Sequence, residues 1–226
     1  MVVLFVNKNM RVILSMTFPI EFLVDKFKCI FPLINDMLSF IHIRETLKNT
    51  LNGDCLSIRH VNSIKNNKIA AVLVIIHCDE NIPSILLTKR SGKLNNHPSQ
   101  IAFPGGNFCP DDLTPLGTAL RETNEEIGIS ISRKYVIGSL EVVQTTTSNY
   151  YIYPFVAMLE KLSKSHPNEE VQKIFSIPID VLNYLIDNMR INKSHFEEHN
   201  PRIKWQDYLI WGATAKILKQ VLKYLR

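Results

Sequence analysis

The spacing of apolar residues changes several times along this chain, and each change marks an expected element. Residues 70–78 (AAVLVIIHC) form an apolar run rich in β-branched side chains, the pattern of a central strand buried on both faces. Asp79-Glu80-Asn81 turns the chain into residues 84–90 (SILLTKR), a second strand, so a hairpin is expected. Residues 137–147 and 151–161 read as two further strands joined near Ser148-Asn149. Helical spacing appears over residues 39–51, closed by Asn52-Gly53, and residues 57–68 read as polar linker. Residues 171–189 read as a helical region broken at Pro178. Residues 208–225 read as a last helix, apolar at Ile210, Ala213, Ile217, Val221 and Leu225, with Lys216, Lys219 and Lys223 facing out. Strands and helices mixed without regular alternation predict an α/β sandwich, not a doubly wound nucleotide fold.

Residues 105–129 (GGNFCPDDLTPLGTALRETNEEIGI) organise the rest. Thr114 is a good N-cap with Pro115 at the first helical position, and Gly128 fits a left-handed C-terminal residue. At helical spacing, Leu113, Leu116, Leu120 and Ile127 share one side, while Glu122, Glu125 and Glu126 gather on nearly the opposite one. Three carboxylates on one patch repel each other. Arg121 beside Glu125 offsets part of that charge, and a hard divalent cation such as Mg2+ would do so better. An acidic run alone is more often a solvated helix face. A glycine pair at fixed distance upstream shifts the balance, because bare backbone beside a metal cluster suits a phosphate-handling site.

Composition narrows the partners. The chain has 226 residues, 46% hydrophobic and 21% charged, room for one domain with an extension. A net charge of +5 suits an anionic small molecule, and with no basic patch interleaved with aromatics it does not point to nucleic acid. The four cysteines are widely spaced without a C-x-x-C pair, so free thiols in a reducing compartment are expected. Residues 1–36 are apolar, but charges interrupt them before any run long enough for an integral membrane segment. They read as an N-terminal extension, either a poor targeting segment or an added start, ahead of a domain at 37–226.

The stretch Arg121-Glu122-Thr123-Asn124-Glu125-Glu126-Ile127-Gly128-Ile129 resembles the second half of the Nudix hydrolase signature, G-x5-E-x7-R-E-U-x-E-E-x-G-U with U apolar. The first half departs: fourteen residues separate Gly106 from Arg121, one more than in the pattern, and Asp112 stands where the first glutamate is expected. That extra residue, and the segment LLTKRSGKLNNHPSQIAFPGG at 86–106, are similar to the coenzyme A diphosphatase subgroup, with Ser99 where the subgroup has glycine. The resemblance implies an α/β/α sandwich with a mixed β-sheet and hydrolysis of the coenzyme A diphosphate to 3′,5′-ADP and 4′-phosphopantetheine. It implies Mg2+ or Mn2+ held by Glu122, Glu125, Glu126 and the Gly106 carbonyl. A glutamate, Glu125 first, is the proton acceptor, and Arg121 orients the cluster. Arg90, Lys93, His97 and Gln100 are the candidate substrate-binding residues, Arg90 first because a guanidinium grips phosphate with two hydrogen bonds. Glu169 and Glu170 stay outside the catalytic set.

Two other readings remain open at this point. The substrate is another nucleoside diphosphate derivative (ADP-ribose, a dinucleotide, an oxidised nucleotide), or the chain is a Nudix module that binds without turnover. Cytoplasm is the expected compartment, with mitochondrion second. Oligomeric state is not legible.

Overall fold

The computed structural model describes residues 40–51, 68–78, 81–93, 98–145, 148–191 and 201–225. Its centre is an eight-stranded mixed sheet. Strand β1 (Lys68–His77) pairs in parallel with β7 (Tyr150–Leu159) along its full length, from Lys68 opposite Tyr150 to His77 opposite Leu159. Every other pairing is antiparallel. On one side of β1 lie β2 (Ser84–Arg90), β3 (Ile101–Ala102), β4 (Gly105–Asn107) and β8 (Val171–Pro178). On the other, β5 (Val136–Ser139) and β6 (Val143–Gln144) both pair with β7.

Alternation along β1 explains the layers. Ala71, Leu73 and Ile75 join Phe155 and Ala157 of β7 against helix α2 (Pro115–Ile127), in a core with Leu116, Ala119 and Ile127. Val74 and Ile76 point the other way, into a core with Leu47 of helix α1 (residues 40–50), Leu182 of α3 (Ile179–Ile191) and Leu218 and Val221 of α4 (Gly212–Tyr224). Helices cover both faces, which is why β1 is apolar at nearly every position. The expected α/β/α sandwich with a mixed sheet is the observed architecture. The β1–β2 hairpin is present, with Ile76 opposite Ile85.

Four expectations need correction. Residues 171–178 are a strand, β8, and helix α3 begins only at Ile179. Val171, Ile174 and Phe175 carry helix-like spacing because β8 has apolar residues on both faces: Val171 and Ile174 face α2, and Phe175 and Ile177 face the other core. Residues 208–211 are likewise β10 (Tyr208–Trp211), hairpinned to β9 (Arg202–Trp205) through a left-handed Gln206, and α4 starts at Gly212. In place of one strand there are two short ones, β5 and β6, because the chain leaves the β7 ladder at Glu141–Val142. Leu113 does not join the core side of α2; it lies before the helix with a left-handed φ of 62° and is 76% exposed. The turn at Asp79-Glu80, the close of α1 at Asn52-Gly53 and His97 lie outside the described residues.

Candidate active site

Helix α2 starts as its sequence requires. Thr114 takes an extended conformation and its hydroxyl accepts the Gly117 N–H at 3.0 Å, with Pro115 at the first helical position. Gly128 ends it in the left-handed region at φ 70°, against the His166 backbone. Within the helix, Thr123 sits at the signature's apolar position fully buried, its hydroxyl bonded back to the Ala119 carbonyl at 2.6 Å. A β-branched side chain that satisfies its own hydroxyl fills that place without leaving a buried group unpaired.

The glycine pair lies directly against this helix. Gly105 has φ 150°, and a Cβ there would overlap the Ala71 carbonyl of β1; a Cβ on Gly106 would collide with the Glu122 carboxylate. The Gly105 amide donates to Glu126 Oε2 at 3.1 Å. Glu126 therefore does not share an exposed patch with Glu125, as helical spacing alone suggested. It is 5% exposed, tucked beneath the β4 backbone. Burial pushes its carboxyl up to about 7; the Gly105 amide and Arg90 pull it down, and Glu122 and Glu170 push it further up.

Arg90, at the end of β2, reaches this cluster. Its Nη1 lies 3.6 Å from Glu126 Oε1 and its Nη2 3.7 Å from Glu170 Oε2. Its Nε is buried with no hydrogen-bond partner. The register of β2 against β8 shifts between Lys89 and Arg90, and this irregularity sets Val171 opposite Arg90 just after Glu170. The Ser91 amide bonds the Glu170 carbonyl at 2.7 Å and fixes the crossing.

A second arginine holds the other carboxylates. Arg121 binds Asp112 through Nε at 2.7 Å and Nη2 at 3.0 Å, Glu122 through Nη2 at 2.8 Å and Glu125 through Nη1 at 2.8 Å. Thr118 adds a 2.7 Å hydrogen bond to Asp112. The Arg121 guanidinium holds the Asp112 carboxyl below its ordinary value, burial opposing, and Arg121 is in turn held more firmly protonated by Asp112. Asp112 closes a short 3-10 turn, Pro110–Asp112, that takes up the extra residue between Gly106 and Arg121. It thus orients Arg121 and does not face the Glu126 cluster.

The structure brings Arg90, Gly106, Arg121, Glu122 and Glu126 together. Glu125 stays on the outer side, exposed and held by Arg121. Lys93 is exposed in a turn and not joined to the cluster, while Gln100 contributes its backbone carbonyl to the Arg90 amide at 2.9 Å. Glu170, left outside the catalytic set on sequence, is brought to Arg90 by the fold. Among the described residues no three His, Cys, Asp or Glu side chains form a ready ligand set; Arg90 and Arg121 take up carboxylate oxygens instead. The chemistry of the donors still suits a hard cation: carboxylate oxygens lie beside open backbone, and one of these carboxyls, Glu126, is raised by burial to about 7.

Comparison with known proteins decides the family. The family model described as the NUDIX domain matches residues 67–199, more than half of the chain. The chain belongs to the Nudix family. A protein of Photorhabdus laumondii named uncharacterized Nudix hydrolase NudL is 37% identical over 170 residues, covering 71% of this chain and 87% of that one. Its namesake in Pectobacterium atrosepticum is 34% identical over 161 residues, covering 70% and 83%. Among solved structures, a NUDIX hydrolase from Alicyclobacillus acidocaldarius shares 18% identity with a TM-score of 0.47, covering 71% of this chain and 93% of that one. Nudix hydrolases as a family cleave nucleoside diphosphate derivatives with divalent metal ions such as Mg2+ or Mn2+. Among the described residues of this Nudix chain, no helix is long and apolar enough to cross a membrane.

Proposed function

We propose that this Nudix protein hydrolyses the diphosphate bond of coenzyme A or its thioesters, releasing 3′,5′-ADP and 4′-phosphopantetheine or its acylated form. The observation that carries the reading is the contact between two motifs. The 86–106 segment, whose sequence is similar to the coenzyme A subgroup, places Arg90 and the Gly105 amide on Glu126 of the hydrolase helix. A cation beside the catalytic carboxylates is suited to a diphosphate, since a guanidinium binds phosphate oxygens in pairs.

Glu122, Glu126 and the Gly106 carbonyl would hold Mg2+ or Mn2+, with Glu125 nearby. The bound ion supplies charge neutralisation at the phosphoryl oxygens and a lowered pKa for a coordinated water. The protein's own residues do the rest. Asp112 and Thr118 fix Arg121, and Arg121 sets the rotamers of Glu122 and Glu125. Glu125, exposed and bonded to Arg121, accepts the proton of the attacking water. Arg90, paired with Glu126 and Glu170 and with its Nε unpartnered, would offer its guanidinium to a phosphate of the substrate. Lys93, exposed in the turn after β2, would meet an anionic group farther along the ligand. The compartment is the cytoplasm.

Product analysis tests the reading. Purified protein is incubated with coenzyme A and Mg2+ or Mn2+, with and without chelator. Metal-dependent 3′,5′-ADP is the expected product. No product from coenzyme A, with turnover of ADP-ribose or a dinucleotide, keeps the Nudix chemistry and rejects the substrate.

A further inference from the structure

Lys89 and Lys173 stand directly opposite each other on β2 and β8. Like charges at opposed positions of an antiparallel pair destabilise the sheet. Among the described residues no carboxylate lies in ion-pair range of either lysine. Both ammonium groups lie instead near the Tyr208 ring, 5.8 Å and 5.5 Å from its centroid, and Lys173 Nζ donates to the Tyr208 hydroxyl at 3.1 Å. Such contacts offset only part of the repulsion.

Tyr208 belongs to a cluster of three nearly parallel rings. It faces Trp205 across the β9–β10 hairpin, the two rings 5.8 Å apart and within 22° of parallel. Both stack on Phe175 of β8, at 5.3 Å for Trp205 and 5.0 Å for Tyr208. All three rings are half-buried. Anchoring the hairpin accounts for the rings. It does not account for two facing, unneutralised lysines at their border. A planar base joined to a phosphate satisfies both: the base covers aromatic surface and the phosphate neutralises the lysine pair.

We propose that Lys89, Lys173, Trp205 and Tyr208 form a nucleotide subsite on the sheet face opposite α2, taking a heteroaromatic base and a phosphate on its sugar. Its place in catalysis rests on the coenzyme A reading above. The same two strand ends serve both sites: β2 carries Lys89 on one face and Arg90 on the other, and the start of β8 carries Lys173 and, just before it, Glu170. A substrate with a diphosphate at one end and a phosphorylated nucleoside at the other meets both by passing over these ends.

The chain has two tryptophans, so Trp211→Phe leaves Trp205 as the single indole reporter. In that variant of the full chain, with chelator present, 3′,5′-ADP is titrated against indole fluorescence, beside adenosine and inorganic phosphate as half-ligands. Saturable quenching by 3′,5′-ADP is expected, weakened by about tenfold or more in Lys89→Met/Lys173→Met, as for loss of a charge-assisted contact. Lys173→Met alone, at an exposed position, gives the same direction should the double variant fold poorly. No saturable quenching, or affinity indifferent to the lysines, overturns the subsite. So does quenching lost on Arg90→Ala and kept without the lysines. Hydrolysis is read separately in the wild type. Lysine-dependent quenching without coenzyme A cleavage keeps the subsite and rejects the substrate; cleavage with an unchanged KM in the double variant does the reverse.

Discussion

The two faces of the β2–β8 end are built from the same strands and carry opposite charge. On the α2 face, Glu122, Glu170 and Arg90 gather around the buried Glu126. On the other, Lys89 and Lys173 border an aromatic surface. The two also differ in how far along the chain their parts are gathered. The α2 face draws chiefly on residues 105–126, one loop and one helix. The lysine face draws on β2, β8 and a hairpin more than a hundred residues beyond β2. A motif writes the first face; only the folded sheet assembles the second.

The largest effect comes from breaking the acidic face. Glu126→Gln is expected to lower kcat roughly 100- to 1,000-fold, the loss of several kcal/mol of charge stabilisation at the transition state. The amide keeps the Gly105 contact possible, so the fold should survive. Wild-type turnover by a folded, metal-saturated variant would remove Glu126 from the machinery. Asp112→Asn comes next. It leaves the shape of the 3-10 turn but weakens the grip on Arg121, and through it the setting of Glu122 and Glu125. A fall of about 10- to 100-fold in activity or metal affinity is expected, the usual cost of losing a group that orients ligands. Unchanged kinetics would mean that Arg121 is positioned without its carboxylate partner.

The same comparison explains what was legible in the sequence. Thr114, Pro115 and Gly128 announce α2 because capping is local chemistry, and the i,i+4 spacing of Arg121 and Glu125 gives their contact for the same reason. Glu126 was misplaced. Helix periodicity puts it among its acidic neighbours, but the Gly105–Gly106 backbone closes over it, and that contact lies twenty-one residues away. Asp112 was left without a role because its partner Arg121 is reached only once the 3-10 turn folds back. Strand β8 was missed for a different reason. With apolar residues on both faces and a register shift at its start, it loses the alternation by which an edge strand is recognised. The parallel β1–β7 pairing has no local signature at all.

Acid–base behaviour sharpens the contrast between the buried carboxylate and its exposed neighbours. The Glu126 carboxyl titrates near 7 in the folded, metal-free protein and near 4.5 when unfolded. The folded state therefore binds the extra proton between those values, and stability falls as pH rises from about 4.5 to about 7. The contribution is on the order of 3 kcal/mol, fully present at the acidic end and lost at the neutral end. Denaturant melts of chelated wild type and Glu126→Gln across that window measure it, as the difference between the two slopes. Identical slopes would show that the carboxyl ionises as freely in the fold as in the open chain. Since a metal ligand must be ionised, metal binding should strengthen with pH over the same interval and release protons.

The smallest expected effect tests how locally the α2 face is specified. Thr114→Ala removes one acceptor for one helix-end N–H, that of Gly117, and leaves Pro115 at the first helical position. A loss of about 1 kcal/mol is expected, seen as a lower urea midpoint with an unchanged slope. Activity at saturating metal should hold, because the carboxylates lie two turns or more along the helix and are fixed by Arg121 and the β4 backbone. The Thr114 amide, however, also donates to the Asp112 carbonyl at 2.7 Å, through a backbone bond that alanine retains. A loss much above 1 kcal/mol, or a drop in kcat, would therefore mean that the hydroxyl helps hold the Asp112 turn. The cap and Arg121 would then be one unit, and the α2 face would be less modular than its sequence suggests.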